Sequence, residues 1–349
     1  MRAPRTSLAV CVIGLLAPLL ATGLASGPAA PAGADGPGPG PDPSPTVSQV
    51  LVVSLDGLNP RALTRLGRRG TPVLHRLMRR GASTLNARSA REETRTLPNH
   101  TGMVTGLRID AAQGGHGVFW NDERVLPATV QEAAGRPVES VFDVVHAAGL
   151  TTSFFAAKAK FSLWNRSWPQ AISTSAIADE DDEATERAAR AHLAGSPGGL
   201  TFVHLGGADH EGHESRFMGA DYLRAVRLVD RRLGRILAVL GDSGLAGETL
   251  VVVTSDHGGV PPTHFDETRL GNFRVPFFVR GPAVPSGVDL YELNPGYRDP
   301  GNRRTGYAAA RQPIRNGDVA NLATDVLGLR AVSGSEHDVA QDLDVFRTP

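Results

Sequence analysis

The sequence predicts an α/β protein whose central strands are covered on both faces. Three unbroken apolar runs, at 49–55, 200–205 and 249–255, lack the alternation of a half-exposed strand. Capped helical patterns stand between them. The 349 residues, 41% hydrophobic and 21% charged, are enough for one large domain or two small ones.

At the N-terminus, Arg2 and Arg5 lead into an apolar stretch at 8–20, followed by the small residues Ala21 to Ser26. This pattern predicts a cleaved export signal over 1–26. The apolar stretch falls short of the about 20 residues that cross a membrane, and a Pro/Gly-rich linker over 27–47 follows it. The expectation is therefore a secreted protein with no membrane anchor after cleavage and a domain over 48–349. Cys11, the only cysteine, lies inside the signal, so the mature chain has no thiolate ligand and no disulfide. Net charge is +0, which leaves no electrostatic signature for nucleic acid.

Taken in order, the strand at 49–55 runs into Asp56-Gly57. Open α/β sheets place their ligands at the carboxyl ends of buried strands, although a single aspartate there also serves as an ordinary helix cap. Thr71-Pro72 starts a helix through Arg80, which Gly81 ends. Next comes Thr94 to Gly106. Its Thr96 hydroxyl lies two residues before Pro98 and three before Asn99, a good N-cap, so the run reads as a loop delivering a nucleophile to a helix N-terminus. The helix dipole and free N–H groups there favour an incoming anion. The glycine-rich run 114–122 allows close backbone approach, and its Asn121 offers amide donors to a phosphoryl oxygen.

A helix over 140–148, closed by Gly149, and a strand over 151–156 lead to Lys158, Lys160, Phe161, Trp164, Arg166 and Trp168. These read as a loop of cations and aromatics that either lines a substrate pocket or forms a half-buried cluster. The acidic run 179–183 opens a helix to Leu193 and reads as carboxylates facing water. The strand at 200–205 is followed by Asp209 and His213, four apart, a spacing that lets a carboxylate and an imidazole converge on one cation. After a long amphipathic helix over 221–240, the strand at 249–255 runs into Asp256-His257-Gly258-Gly259. Three buried strands thus end in aspartate, two of them with histidine beside it or four away. This repetition predicts a dinuclear metal site with ligands of the type zinc accepts. The Pro/Gly-rich segment 282–312 wraps the surface or forms a lid, and 316–327 is a final helix ended by Gly328.

The ordered set Leu55-Asp56-Gly57, Thr96-Leu97-Pro98-Asn99-His100 with Val104-Thr105-Gly106, His116-Gly117 with Asn121, Asp209-x-x-x-His213 and Ser255-Asp256-His257-Gly258 resembles the motifs of the alkaline phosphatase superfamily. Within it, the type I phosphodiesterase/nucleotide pyrophosphatase family matches best, from about Val50 to the C-terminus. The resemblance implies a doubly wound α/β/α sandwich with a mostly parallel central sheet and two divalent metal ions, Zn2+, on one sheet edge. Carried over by position, Asp56, Thr96, Asp256 and His257 would hold one ion, and Asp209, His213 and a third histidine the other. That histidine is assigned to His264, in the setting used by cofactor-independent phosphoglycerate mutases. The nucleotide pyrophosphatases take theirs from near the C-terminus, where this chain has His337.

The implied chemistry is attack by Thr96, activated by a metal ion, on a small phosphodiester or pyrophosphate substrate. Asn121 would hold a non-bridging oxygen, and a phospho-threonine would be hydrolysed in a second step. The family's nucleophile motif, Thr-Phe-Pro-Asn-His, carries an aromatic that can stack on a base. Leu97 stands there in this chain, which predicts weak discrimination between nucleotide bases unless Phe161, Trp164 or Trp168 replaces it. A phosphomonoesterase or phosphonate hydrolase would share the metals. A sulfatase would need Cys or Ser at position 96 and Arg at position 100, where this chain has Thr96 and His100. A secreted binding protein with an inactive site is the alternative outside enzymology.

Overall fold

The computed structural model describes residues 47–195 and 198–346. The predicted signal and all but the last residue of the predicted linker lie outside them. The domain is built on an eight-stranded mixed sheet: β1 Gln49–Leu55, β2 Ala82–Arg88, β3 Thr152–Ala156, β4 Thr174–Ile177, β5 Gly199–Leu205, β6 Thr249–Thr254, β7 Arg274–Arg280 and β8 Val288–Asp289. Their spatial order is β4-β3-β5-β1-β6-β7-β2-β8. All neighbouring pairs are parallel except β6·β7 and β7·β2, so β7 alone runs against the rest. This is the mostly parallel α/β architecture expected of the sequence.

Two cores explain the unbroken apolar runs. Val50, Val52, Leu200, Phe202, Leu250 and Val252 point to one face of the sheet, where they meet side chains from the helices Thr96–Thr105, Val141–Ala147 and Val319–Val326. Leu51, Val53, Leu55, Val203, Leu205, Val251 and Val253 point to the other face, against the helices Pro60–Gly70, Pro72–Arg80, Asp182–Ala194 and Ala220–Asp242. Neither face of the central strands meets water, so neither has a polar stripe.

Several elements differ from the sequence expectation. The first helix begins at Pro60, behind the Asn59 cap, in a stretch where arginines dilute the apolar pattern. β2 and β4 carry polar residues because they lie towards opposite edges of the sheet. The helix predicted to begin after Asn99 begins at Thr96. Pro98 fits its first turn because proline brings no N–H that needs a partner there. Asn99 lies inside the helix instead of capping it. Its Oδ1 accepts from the Ala90 N–H at 2.8 Å, and its Nδ2 donates to the carbonyls of Glu93 and Arg95.

The 158–168 stretch is not an open loop, since its residues form the turn Ala159–Phe161 and the helix Ser162–Ser167. Phe161, Trp164 and Trp168 are buried against Phe142, Phe154 and Phe202, with Trp164 at 4.7 Å and 5.4 Å from the rings of Phe154 and Phe202. They belong to the core and offer no surface to a substrate. Arg166 is likewise turned away, donating to the Ala128 and Arg124 carbonyls and to Ser162.

The 282–312 segment wraps the sheet edge. It supplies β8, its Tyr291 hydroxyl donates to the Asn86 carbonyl, and the Arg88 guanidinium donates to the carbonyls of Gly301 and Arg303. Among the described residues, no helix is long and apolar enough to cross a membrane.

Replacing Trp164 by alanine removes the centre of the aromatic cluster. The expected cost is about 3–5 kcal/mol of unfolding free energy, read from the denaturant midpoint at unchanged slope. A loss below about 1 kcal/mol would place the indole outside the core.

Candidate active site

The strand order brings the chemistry together. β5, β1 and β6 are parallel neighbours in register, with Leu55 beside Leu205 and Ser54 beside Thr254. Their carboxyl ends therefore emerge side by side on one edge. Asp56 is the residue after β1, Asp256 and His257 follow β6 by two and three, and Asp209 lies in the short helix Gly207–Glu211 after β5. β3, beyond β5, ends two residues before Lys158.

Gly57 makes the close approach possible. Its φ of +68° suits glycine, and a Cβ there would fall 2.9 Å from the Asp209 Cβ. The Gly57 N–H donates to Asp256 Oδ1 at 3.1 Å, and its carbonyl accepts from the Tyr222 hydroxyl at 2.8 Å. The Asp209 loop is tied down by Asp182, which accepts from the N–H groups of Gly206 and Gly207 at 2.6 and 3.0 Å. Asp182 was expected to face water as part of an acidic helix start. In the fold it is Asp181 that caps the helix, while Asp182 reaches back to the site.

Asp56, Asp209, Asp256, His257 and His264 are all buried. Asp56 Oδ1, Asp209 Oδ1, Asp256 Oδ2 and His257 Nε2 lack a hydrogen-bond partner. Unpaired buried polar atoms are costly, and four that converge on one region fit a cation. His257 Nε2 lies 3.1 Å from Asp256 Oδ2 and 3.5 Å from Asp56 Oδ1. Asp209 Oδ1 lies 3.5 Å from His213 Nε2 and 3.6 Å from His264 Nε2, and the two imidazole nitrogens are 2.9 Å apart. Two groups can each hold an ion: Asp56, Asp209 and His257, and Asp209, His213 and His264.

The histidine rings are oriented for this role. His257 Nδ1 donates to the Gly258 carbonyl at 2.7 Å, and His264 Nδ1 donates to the carbonyl of Thr94. Each Nε2 is thereby left with its lone pair facing the cluster. The two rings stack at 3.7 Å, and the Phe217 ring, close against Gly212 and Gly259, packs 5.6 Å from His264 and 5.4 Å from His213. Burial lowers the pKa of both stacked histidines, that of His264 to about 3, so both are neutral, the form in which an imidazole can accept a cation.

His213 sits at the start of a π-type turn, Gly212–Arg216, where the helix widens. His337, by contrast, packs near Tyr307 and against Gly317, with its carbonyl accepting from Asn321 Nδ2. It belongs to neither ion-binding group.

Thr96 is buried in the first turn of its helix, with its Oγ1 3.5 Å from Lys158 Nζ. The Leu97 N–H donates to Asn121 Oδ1 at 2.9 Å, and Pro98 has none. The helix start thus retains its dipole but spends on Asn121 an N–H expected to meet an anion. Asn121 is fixed through its oxygen, which leaves Nδ2 as the end available to a ligand.

Three side chains take places at the site that the sequence analysis did not assign them. Lys158 bridges two carboxylates, with Nζ 2.6 Å from Asp56 Oδ2 and 2.7 Å from Asp209 Oδ2. Its signal was its place two residues after a strand end, like that of Asp256. His204, one histidine in an apolar strand, puts Nε2 2.9 Å from Asp56 Oδ2. His100 joins the Thr96 carbonyl through Nδ1 and the Ser54 hydroxyl through Nε2, both at 2.8 Å.

The charges are unbalanced. Burial works against the ionised form of Asp56, yet Lys158 and His204 hold it well below the usual carboxylate range. Burial and the neighbouring Asp56 and Asp209 push Asp256 well above that range. Burial alone would lower the Lys158 ammonium, but Asp209 and Asp56 hold it above the usual lysine range. One ammonium is too little charge for three buried carboxylates.

The site opens into a cleft of about 620 Å³ lined by Asn121, Lys158, Lys160, Asp209, His210 and His213 among other mostly polar residues, with no aromatic carbocycle in its wall.

A helix starting at Thr96 over an Asp/His cluster on the carboxyl edge of such a sheet defines an alkaline phosphatase-like fold. The sequence profile of the type I phosphodiesterase/nucleotide pyrophosphatase family matches residues 50–274, and the chain belongs to that family. It is 24% identical over 266 residues to GPI ethanolamine phosphate transferase 1 of Aspergillus oryzae, covering 70% of this chain and 25% of that protein. It is 34% identical over 91 residues to arylsulfatase K of Xenopus laevis, covering 22% and 17%. The chain thus spans about a quarter or less of the length of these relatives. Its fold is shared with murine ectonucleotide pyrophosphatase/phosphodiesterase 5, solved as an inactive variant in complex with AMP. That match has a TM-score of 0.61 and 15% identity, over 82% of this chain and 96% of that one.

Substitution separates the two histidine assignments. His264→Ala is expected to weaken zinc retention by more than roughly tenfold. His337→Ala should leave zinc content unchanged and only lower the melting temperature. Metal analysis after dialysis reads both; loss of zinc from the His337 variant alone would reverse the assignment.

Proposed function

We propose that the chain is an exported two-metal hydrolase that cleaves phosphodiester or pyrophosphate bonds of small substrates through a phospho-threonine at Thr96. The observation that carries this reading is the buried Thr96 hydroxyl in the first turn of its helix, beside a cluster of buried carboxylate and imidazole atoms that lack partners. The export signal in the sequence supports the location.

Asp56, Asp256 and His257, with Thr96, would hold one ion, and Asp209, His213 and His264 the other. Bound zinc would supply Lewis acidity, lowering the pKa of the threonine hydroxyl and offsetting charge on phosphoryl oxygens. The rest is the work of the chain. Thr96 Oγ1 attacks phosphorus, the Oγ–P bond forms as the P–O bond to the leaving group breaks, and the departing oxygen ends protonated. Water then attacks the phospho-threonine, restoring the hydroxyl and releasing phosphate or a phosphomonoester. The Asn121 amide binds a non-bridging oxygen, held in place by the Leu97 N–H at its other end. The helix dipole favours the added negative charge at Thr96.

Among the described residues no aromatic carbocycle lines the cleft, which supports weak discrimination between bases; stacking on the exposed Phe265 ring, 5.7 Å from that of His213, would restore it. A transferase outcome, with an alcohol replacing water as acceptor, is compatible with the same covalent step and is read from products formed in the presence of an amino alcohol. A second reading, phosphomonoester or phosphonate hydrolysis, is favoured by Lys158 and Lys160 in the cleft wall, where an ammonium meets a further phosphoryl oxygen.

Zinc-replete protein is expected to turn over an aryl phosphodiester with higher kcat/KM than the matched monoester. The opposite order would establish the second reading. Thr96→Ala should lower kcat/KM on the order of 10⁴-fold or more with an unchanged melting curve. Acid-quenched wild type should carry one phosphoryl group by intact mass, and the variant none. Full activity of the variant would overturn the mechanism. Chelation should stop turnover, and added zinc should restore it.

A further inference from the structure

Lys158 occupies a position that the mechanism above does not use. Its Nζ is within 2.7 Å of one oxygen from each of Asp56 and Asp209, and these two carboxylates share an ion-binding group with His257. Asp209 also belongs to the second group, so one ammonium touches the donor sets of both ions. Lys160, two residues on, lies elsewhere and donates to the Asn121 carbonyl at 2.9 Å. The Lys158 side chain is 14% exposed and lines the open cleft, so it has somewhere to go.

We propose that Lys158 is a resident counter-ion of the Asp56–Asp209 pair and competes with metal for these carboxylates. The inference rests on the reading of the Asp/His cluster as a metal centre. Without metal, the ammonium keeps two buried carboxylates from facing each other uncompensated. With metal, the same positive charge opposes the incoming dication. Either the ammonium leaves its two short hydrogen bonds or it stays a few ångströms from the ion, and both cost metal affinity. An ammonium that leaves can enter the cleft beside Thr96, where phosphoryl oxygens arrive. One side chain thereby stabilises the empty site and makes the loaded one depend on metal supply.

The test uses the full chain stripped with a chelator. Zinc affinity is measured by competition with a chromogenic chelator, and metal-free unfolding by calorimetry. Lys158→Gln is expected to bind zinc at least tenfold more tightly than wild type, about 1.4 kcal/mol, and to unfold at lower temperature when metal-free. Lys158→Arg keeps the charge and should stay within roughly threefold of wild type in affinity. If the metal-free glutamine variant does not fold, it is purified with zinc bound, and zinc release to excess chelator should be slower than from wild type.

Equal or weaker zinc binding by the glutamine variant, or equal or faster release, would overturn the inference. So would an unchanged metal-free melting temperature. Failure of the underlying reading looks different: wild type and His257→Ala would bind zinc equally poorly, whatever stands at position 158.

Discussion

Three carboxylates, Asp56, Asp209 and Asp256, are buried on one edge of a sheet, and the Lys158 ammonium bridges the first two. Like charges that close in a low-dielectric interior repel strongly, and desolvation adds to the cost. The fold meets part of that cost locally. One oxygen of Asp256 takes the Gly57 N–H, and Asp56 has His204 and Lys158. Each aspartate nevertheless keeps one oxygen without a hydrogen-bond partner. Those oxygens lie with the Nε2 atoms of neutral imidazoles, the donor set that a zinc-sized dication accepts.

Such a cluster is useful only if its donors do not move, and the supporting contacts come from remote parts of the chain. Asn316, at the start of the C-terminal helical segment, donates to the Asp256 carbonyl at 2.9 Å. Tyr222, on the long helix after the Asp209 loop, holds the Gly57 carbonyl. Thr94 accepts from His264 Nδ1 only two residues before Thr96, so His264 and Thr96 are placed by one backbone segment. Phe217 closes against Gly212 and Gly259, where any side chain would collide with its ring. Rigid ligands of this kind lower the reorganisation needed when charge develops at phosphorus.

The motifs that carry the family resemblance lie on this edge of the sheet. Leu97, where the family carries an aromatic, is buried, and the three aromatics that follow Lys158 are core. What lines the cleft is largely polar and charged, with Lys158, Lys160 and Arg232 among eight acidic side chains, Asp209 of the cluster included. The exposed ring of Phe265 lies 5.7 Å from that of His213, which lines the cleft.

Periodicity and end residues were enough to locate β1, β5 and β6, because strands buried on both faces must be continuously apolar and the aspartates stand immediately beyond them. Asp56, Asp209, His213, Asp256 and His257 could be picked out as candidates for the same local reason, whereas His264 came from the family resemblance. The helix start at Thr96 was displaced by four residues, since a proline marks a first turn as readily as a loop. The place of His264 beside the cluster and of His337 away from it, the place of Lys158 and His204, and the burial of Phe161, Trp164 and Trp168 were decided by tertiary structure. Lys158 meets Asp56 across 102 residues and His204 meets it across 148. Those encounters follow from the order β3-β5-β1-β6, which local residue patterns do not encode. The sequence by itself determined which strands end in ligands; the order of the strands decided which side chains share the site.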